Sequence, residues 1–254
     1  MKTLKYINND GAVGIYEPTA PLCLFKTVIN AIRRAIVLSG VRRGITWSTS
    51  DNFDIYIAGG AIRDYVYCKH NNIDENKMIK DLDVFILPHS KVAESKLWKD
   101  FLSCLTSYDY RNLLIDRIEP FASNDMSKYH ADFTIINNLK FTFAPYPTQI
   151  ILRKGITKVN ELFDEFDWSV CQIATDGEKV FATHKCIDNL EFKTPMKLTN
   201  EKGALRTLKR GFNLSHKLGL EVDHDDTIKL CEKLAKTKQQ FKPIKKLDFG
   251  DDDI

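Results

Sequence analysis

Two short stretches, Ile57-Ala-Gly-Gly-Ala-Ile-Arg-Asp64 and Lys80-Asp-Leu-Asp-Val-Phe-Ile86, decide how this 254-residue chain is read. The first opens as a strand, Asp54–Ala58, runs into Gly59-Gly60, and continues as a helix from Ala61 to about Lys69. Glycine tolerates φ > 0 and lets backbone N–H groups approach a ligand closely. A helix that starts at such a bend presents unpaired N–H groups and the positive end of its dipole, so Gly59 and Gly60 form a candidate phosphate cradle. The second stretch alternates with period two and predicts a strand over Asp81–Leu87, stopped by Pro88. Asp81 and Asp83 are spaced i, i+2, so both carboxylates point to one face. Leu82 and Phe85 are expected to face differently, giving the strand its core side. Two carboxylates this close repel unless a cation lies between them. Mg²⁺ is held by a few carboxylates plus substrate phosphates. A lone Gly-Gly turn is commonly structural, and a lone Asp-x-Asp is commonly a solvated edge strand. On successive strands they describe a nucleotide–Mg²⁺ site. Arg63 and Asp64 follow one helical turn later. They either serve a phosphate and the aspartate strand or form an exposed helix ion pair worth little.

Outward from this centre the elements alternate. Apolar residues at helical spacing (Leu24, Val28, Ile29, Ile32, Ile36) predict a helix from Leu22 to about Val41, preceded by an irregular stretch over 1–20. An amphipathic helix is predicted over 90–106, then a β-rich stretch over 115–153. Within it Ala131–Ile136 and Leu139–Phe143 flank Asn137-Asn138 as a hairpin turn. Lys158–Phe163 reads as a short helix. Val170–Thr175 and Lys179–Thr183 bracket Asp176-Gly177, the strongest short hairpin signal in the chain. Two helices follow, Glu201–Gly219 and Asp225 to about Lys238, and the chain ends in Leu247-Asp-Phe-Gly-Asp-Asp-Asp-Ile254, expected to be solvated and mobile. The order predicts an α/β protein of the α+β kind, a mixed sheet followed by a small helical appendage.

Composition narrows the function. With 37 Lys and Arg against 34 Asp and Glu the net charge is +3, which excludes a wholly basic nucleic-acid coat but not a local basic surface. That surface is expected near the C-terminus: from Glu201 to Lys246 there are twelve cationic residues against six acidic ones, a surplus suited to an RNA backbone or to a solvated helix face. No run of about 18 apolar residues exists, and the start lacks a signal-peptide core, so a cytoplasmic protein with no membrane partner is expected. The six cysteines are scattered without C-x-x-C, which points to reduced thiols rather than disulfides or zinc. The histidines show no metal-ligand spacing.

The paired motifs resemble the head of the class II polymerase-beta-type nucleotidyltransferases, the family of CCA-adding enzymes and bacterial poly(A) polymerases. Their pattern is strand, Gly-Gly-x-x-Arg-Asp, loop, Asp-x-Asp. Phe166-Asp-Trp-Ser-Val-Cys-Gln172 is similar to the family's R-D-F-T-I-N-A segment, which helps to bind the incoming nucleotide. Leu205-Arg-Thr-Leu-Lys-Arg-Gly-Phe212, with Leu218-Gly-Leu-Glu-Val222, is similar to its neck helix. The resemblance spans roughly residues 22–225. It implies a nucleotidyltransferase head over 1–195, a basic helical neck over 196–246 and an acidic tail over 247–254. It implies transfer of a nucleotide from an NTP, ATP or CTP, to an acceptor such as an RNA 3′ end, with Mg²⁺ or Mn²⁺. Asp81 and Asp83 would be the catalytic metal ligands. Gly59, Gly60, Arg63, Asp64, Asp167, Arg206 and Arg210 would bind the nucleotide.

Departures from the pattern are specific. Lys202-Gly203 stand where the family carries the Glu-Asp that helps to select C and A, and Asp164-Glu165-Phe166 replace an Arg pair. The third carboxylate of most such enzymes falls at Gln149, which cannot be an anionic ligand or a general base. Asp132 and Asp167 are the alternatives. Compact size and Lys/Asn-rich composition fit a shortened, phage-encoded variant. Transfer to a protein or small molecule, or an inactive nucleotide- or RNA-binding homologue, remain open. The acidic tail, similar to that of bacterial single-stranded-DNA-binding proteins, either docks on a protein partner or merely solubilises the chain.

Overall fold

The computed structural model describes residues 4–20, 22–41, 53–90, 115–117, 133–141, 146–153, 155–201 and 203–240. The described strands are β1 (Leu4–Asp10), β2 (Val13–Pro18), β3 (Phe53–Ala58), β4 (Leu82–Pro88), β5 (Ile115–Arg117), β6 (Phe133–Phe141), β7 (Thr148–Arg153), β8 (Ile173–Thr175) and β9 (Val180–Thr183). They form one sheet in the order β1-β2-β9-β8-β3-β4-β7-β6-β5. Among the described strands only the β4–β7 pair is parallel. The sheet is therefore mixed, as expected.

Six described helices accompany it: α1 (Cys23–Val41), α2 (Gly60–Asn71), α3 (Val159–Asp164), α4 (His184–Phe192), α5 (Ala204–Leu218) and α6 (His224–Gln240). Alternation along β4 assigns the two faces. Leu82, Val84 and Ile86 enter the larger core with Val28 and Ile32 of α1, Ile62 and Val66 of α2, and Leu214 and Leu218 of α5. Phe85 and Leu87 enter a second core with Ile151, Val159, Leu162 and Phe163, under α3. Both faces of β4 are covered, so apolar residues occur at both parities. This corrects the expectation for Phe85. It shares parity, and hence a face, with Asp81 and Asp83; only the even-numbered residues form the opposite side.

Other expectations shift locally. The stretch expected to be irregular near the N-terminus is a hairpin, β1–β2, turned at Gly11 with φ 62° and anchored by buried Leu4, Val13 and Tyr16. Asn137-Asn138 is not a turn: β6 runs through it, and its register against β7 slips between Ile136 and Leu139. Neighbouring strands on both sides hold β6 extended, so the one surplus residue is absorbed as a bulge-like irregularity. Ser169–Cys171 is a 3₁₀ turn ahead of β8 rather than strand. The Asp176-Gly177 turn does join β8 to β9, with Gly177 at φ 92° and Asp176 Oδ1 accepting from the Glu178 and Lys179 amides. Helix α4, not foreseen, starts where Thr183 Oγ1 accepts from the Cys186 amide. The helix expected over 90–106 lies outside the described residues. No described helix is long and apolar enough to cross a membrane.

Candidate functional site

Strand β3 delivers the chain to Gly59, whose backbone at φ 72°, ψ −122° is open to glycine alone at low cost. A Cβ there would also lie 3.1 Å from Phe166 Cε1. The Gly59 amide donates to Ile173 O on β8 at 2.8 Å, and its carbonyl accepts from the Arg63 amide at 3.0 Å. The bend is thus tied to the sheet on one side and opens α2 on the other. The first turn of α2 has no acidic residue and no side-chain cap. Its leading amides are those left without intrahelical acceptors, and the dipole adds positive potential. At Gly60 an added Cβ would meet only Arg63 Nη2, at 3.9 Å.

The aspartates lie beside this bend. Strand β3 is antiparallel to β4 with Ile57 opposite Val84, so the end of β3 adjoins the start of β4. Asp81 is exposed and immediately precedes β4; Asp83 is half-buried within it. The Leu82 amide donates to Pro147 O at 2.9 Å and extends the pairing towards β7. Across the parallel β4–β7 ladder Asp83 is paired with Gln149, and paired residues project to the same face. The Asp83 carboxyl is pushed up to about 6, first by burial and then by the charge of Asp81, while Arg210 pulls it back. Mutual repulsion of this kind is relieved by a cation or a proton.

A network of buried charge lies behind the bend. Arg63 is only 4% exposed; its Nε donates to Asp64 Oδ1 at 2.8 Å and its Nη1 to Cys171 Sγ at 3.4 Å. Asp64 Oδ2 accepts from Lys217 Nζ at 2.6 Å, and Lys217 also donates to Met78 O at 3.0 Å. Lys217 thereby ties α5 to α2 and to the segment that leads into Asp81. Sequence reasoning missed Lys217, because a lysine in the last turn of an amphipathic helix carries no distinguishing local signal. The Arg63 side chain, expected at phosphate, is occupied beneath the bend by these partners.

Helix α5 packs closely here through Gly211, where a Cβ would lie 2.5 Å from Trp168 Cζ2. Trp168 Nε1 donates to Thr207 O at 3.0 Å. The close approach carries Arg210 to the segment ahead of β8: its Nη1 is 3.5 Å from Asp167 Oδ1, and its Nη2 is 3.9 Å from Cys171 Sγ. Asp167 is 4% exposed, and its Oδ1 accepts no hydrogen bond among the described residues. Arg206, one turn earlier on α5, is exposed. The structure therefore groups Gly59, Gly60, Asp83, Arg210 and Asp167 near the end of β3 and the start of β4, with Arg63 and Asp64 below. Asp132 lies outside the described residues. Among the described residues no group of three or more His, Cys, Asp or Glu is placed to hold a metal. Two carboxylates with a neutral amide neighbour would need substrate phosphate to complete a Mg²⁺ shell. A cavity of about 360 Å³ lies elsewhere, lined by Leu22, Phe25, Tyr65, Lys69 and Tyr146.

No family model and no curated protein matches the sequence. Solved structures do resemble the fold. A CCA-adding enzyme solved with CTP aligns with TM-score 0.51 and 10% identity over 86% of this chain and 46% of its own. A tRNA-processing enzyme in an apo form aligns with TM-score 0.50 and 14% identity over 87% of this chain and 49% of its own. The Bacillus stearothermophilus CCA-adding enzyme with CTP aligns at 0.49 and 13%, over 88% and 46%. The chain spans about half the length of these structures. At such identities the likeness concerns the fold alone: a mixed sheet followed by helices.

Proposed function

We propose that this chain binds a nucleoside triphosphate with Mg²⁺ or Mn²⁺ where the end of β3 meets the start of β4, and transfers its nucleotide to an acceptor, foremost an RNA 3′ end. The observation that supports this most is the adjacency of the Gly59-Gly60 bend and the Asp81/Asp83 strand in a fold shared with a CCA-adding enzyme solved with CTP. The leading amides of α2 bind the outer phosphates. Asp81 and Asp83 hold the metal, which when bound neutralises the triphosphate and polarises the attacking hydroxyl. Arg210, 3.5 Å from Asp167 and near enough to Asp83 to draw its carboxyl down, supplies a positive charge to the same space. Asp167 offers an unused acceptor to the nucleotide. The acceptor oxygen displaces pyrophosphate from the α-phosphorus, and its proton leaves to solvent, because Gln149 beside Asp83 cannot take it. Rate enhancement here is positioning and charge neutralisation. Arg206 and the lysines around α5 and α6 extend a cationic track for RNA.

Gln149 favours a second reading, in which Mg-NTP is bound without transfer. Purified protein with Mg²⁺, each labelled NTP and total RNA separates the outcomes. Label on RNA is expected; label on protein identifies a protein acceptor; binding without transfer identifies a sensor. Asp81→Ala abolishes transfer while leaving the melting curve cooperative. Activity retained in that variant overturns the assignment.

A further inference from the structure

Helix α5 has a second face that the nucleotide site does not use. Thr207, Gly211, Leu214 and Leu218 turn inward. On the outer side Leu205 is 66% exposed and Phe212 is 52% exposed. Seven residues apart, they stand in one line along the helix, with Lys209 between them. Arg206 and Lys209 have no ion-pair partner among the described residues. The nearby lysines do: Lys217 meets Asp64, Lys229 meets Asp226 and Lys233 meets Glu201. An apolar line flanked by uncompensated cations is a surface shaped for an acidic, amphipathic occupant.

The same chain carries one. Leu247-Asp-Phe-Gly-Asp-Asp-Asp-Ile254 holds four carboxylates and three large apolar residues and no cation. Geometry brings it within reach. Helix α6 returns along α5, and the Lys233–Glu201 pair sets the later half of α6 beside the start of α5. The end of α6 lies roughly 10 Å beyond Lys233. The seven residues from Gln240 to Leu247 span up to about 23 Å, enough to return to Leu205. From Leu205 to Phe212 is about 10 Å along the helix, less than the extended length of the octet.

We propose that residues 247–254 dock on the outer face of α5, with Leu247 and Phe249 against Leu205 and Phe212 and the aspartates beside Arg206 and Lys209. The segment then covers part of the basic neck in the manner of a nucleic-acid strand. The docking stands independently of nucleotide transfer. Its consequence, competition with RNA for the neck, rests on the function proposed above.

A fluorescent peptide of residues 247–254 is titrated into the full chain and into a chain ended after Lys246. The shortened chain is expected to bind it with an affinity that falls as salt rises. The full chain binds it at least about 10-fold more weakly, because the attached segment competes at millimolar effective concentration. Lys209→Glu and Phe212→Ala each weaken binding to the shortened chain. Peptide that binds neither chain, or both equally, overturns the proposal. A second measurement needs no truncation. Trypsin cleavage after Lys245 and Lys246 in the full chain accelerates several-fold with Phe212→Ala or at high salt, if docking protects those bonds. An unchanged rate overturns the proposal, as does a full-chain dimer that Phe212→Ala dissociates, which would make a second copy the occupant. Neither readout involves nucleotidyl transfer, so failure of one conclusion is separable from failure of the other.

Discussion

Asp83→Asn should stabilise the metal-free protein and disable it. The substitution keeps shape and removes one charge. In the folded chain the Asp83 carboxyl titrates at about 6 rather than 3.8, raised by burial and by Asp81. A carboxyl raised in this way contributes most to stability below pH 3.8, in its protonated form. That contribution is lost as pH rises through 6 and stays lost at neutral pH. A shift of this size corresponds to at most about 3 kcal/mol at pH 7. Partial exposure of the side chain reduces it, so roughly 1–3 kcal/mol is expected, or about 2–10 °C in Tm. Thermal melts in chelator at pH 7 and near pH 4 should show the Asn variant more stable at the first and equal to the parent at the second. Mg²⁺ with a non-hydrolysable NTP should then stabilise the parent by mass action and leave the variant unmoved. A variant that melts below the parent at pH 7 without metal would refute the repulsion. Equal stabilisation of both by Mg-NTP would refute the ligand assignment.

Gly211→Ala drives a Cβ to within 2.5 Å of the Trp168 ring and should cost about 1–3 kcal/mol in urea unfolding, without a change in m. Gly59→Ala meets both φ 72° and Phe166, so it should lower stability and weaken NTP binding together, read by melting and by titration calorimetry. Asp64→Ala strands the buried Arg63 charge and should cost about 3–5 kcal/mol, more than Lys217→Met, whose loss leaves the Arg63–Asp64 pair intact. Gln149→Glu sets a third carboxylate opposite Asp83; it should tighten Mg²⁺ binding and lower metal-free stability. Unchanged Mg²⁺ affinity would mean that Gln149 does not share the site.

Much of the site is legible because it is local. The strand, the Gly59-Gly60 bend and the helix after it are contiguous, and the two aspartates share a face by strand alternation. The same alternation places Phe85 with them, although apolar character alone assigns it to the opposite side. Once both faces of β4 are covered, hydrophobicity stops reporting which side is core. The first hairpin, turned at Gly11-Ala12, is not legible in this way, because its strand β1 is mostly exposed and lacks a buried stripe to announce it. Asn137-Asn138 reads as a turn in isolation and becomes a slip in register only because strands flank β6 on both sides.

By itself the sequence determined the chemistry on offer: a glycine bend opening a helix, a pair of carboxylates one pleat apart, a neutral Gln149 and a basic C-terminal region. Tertiary structure alone decided how these meet. It set Gln149 opposite Asp83 and Lys217 against Asp64, 153 residues away in the chain. It turned Arg63 inward, and it brought Arg210 to Asp167 through the Gly211–Trp168 contact. The physical reason is that dihedral preference and alternation act over a few residues. Ladder register and buried ion pairs are settled by the packing of distant segments, where no local pattern records the partner.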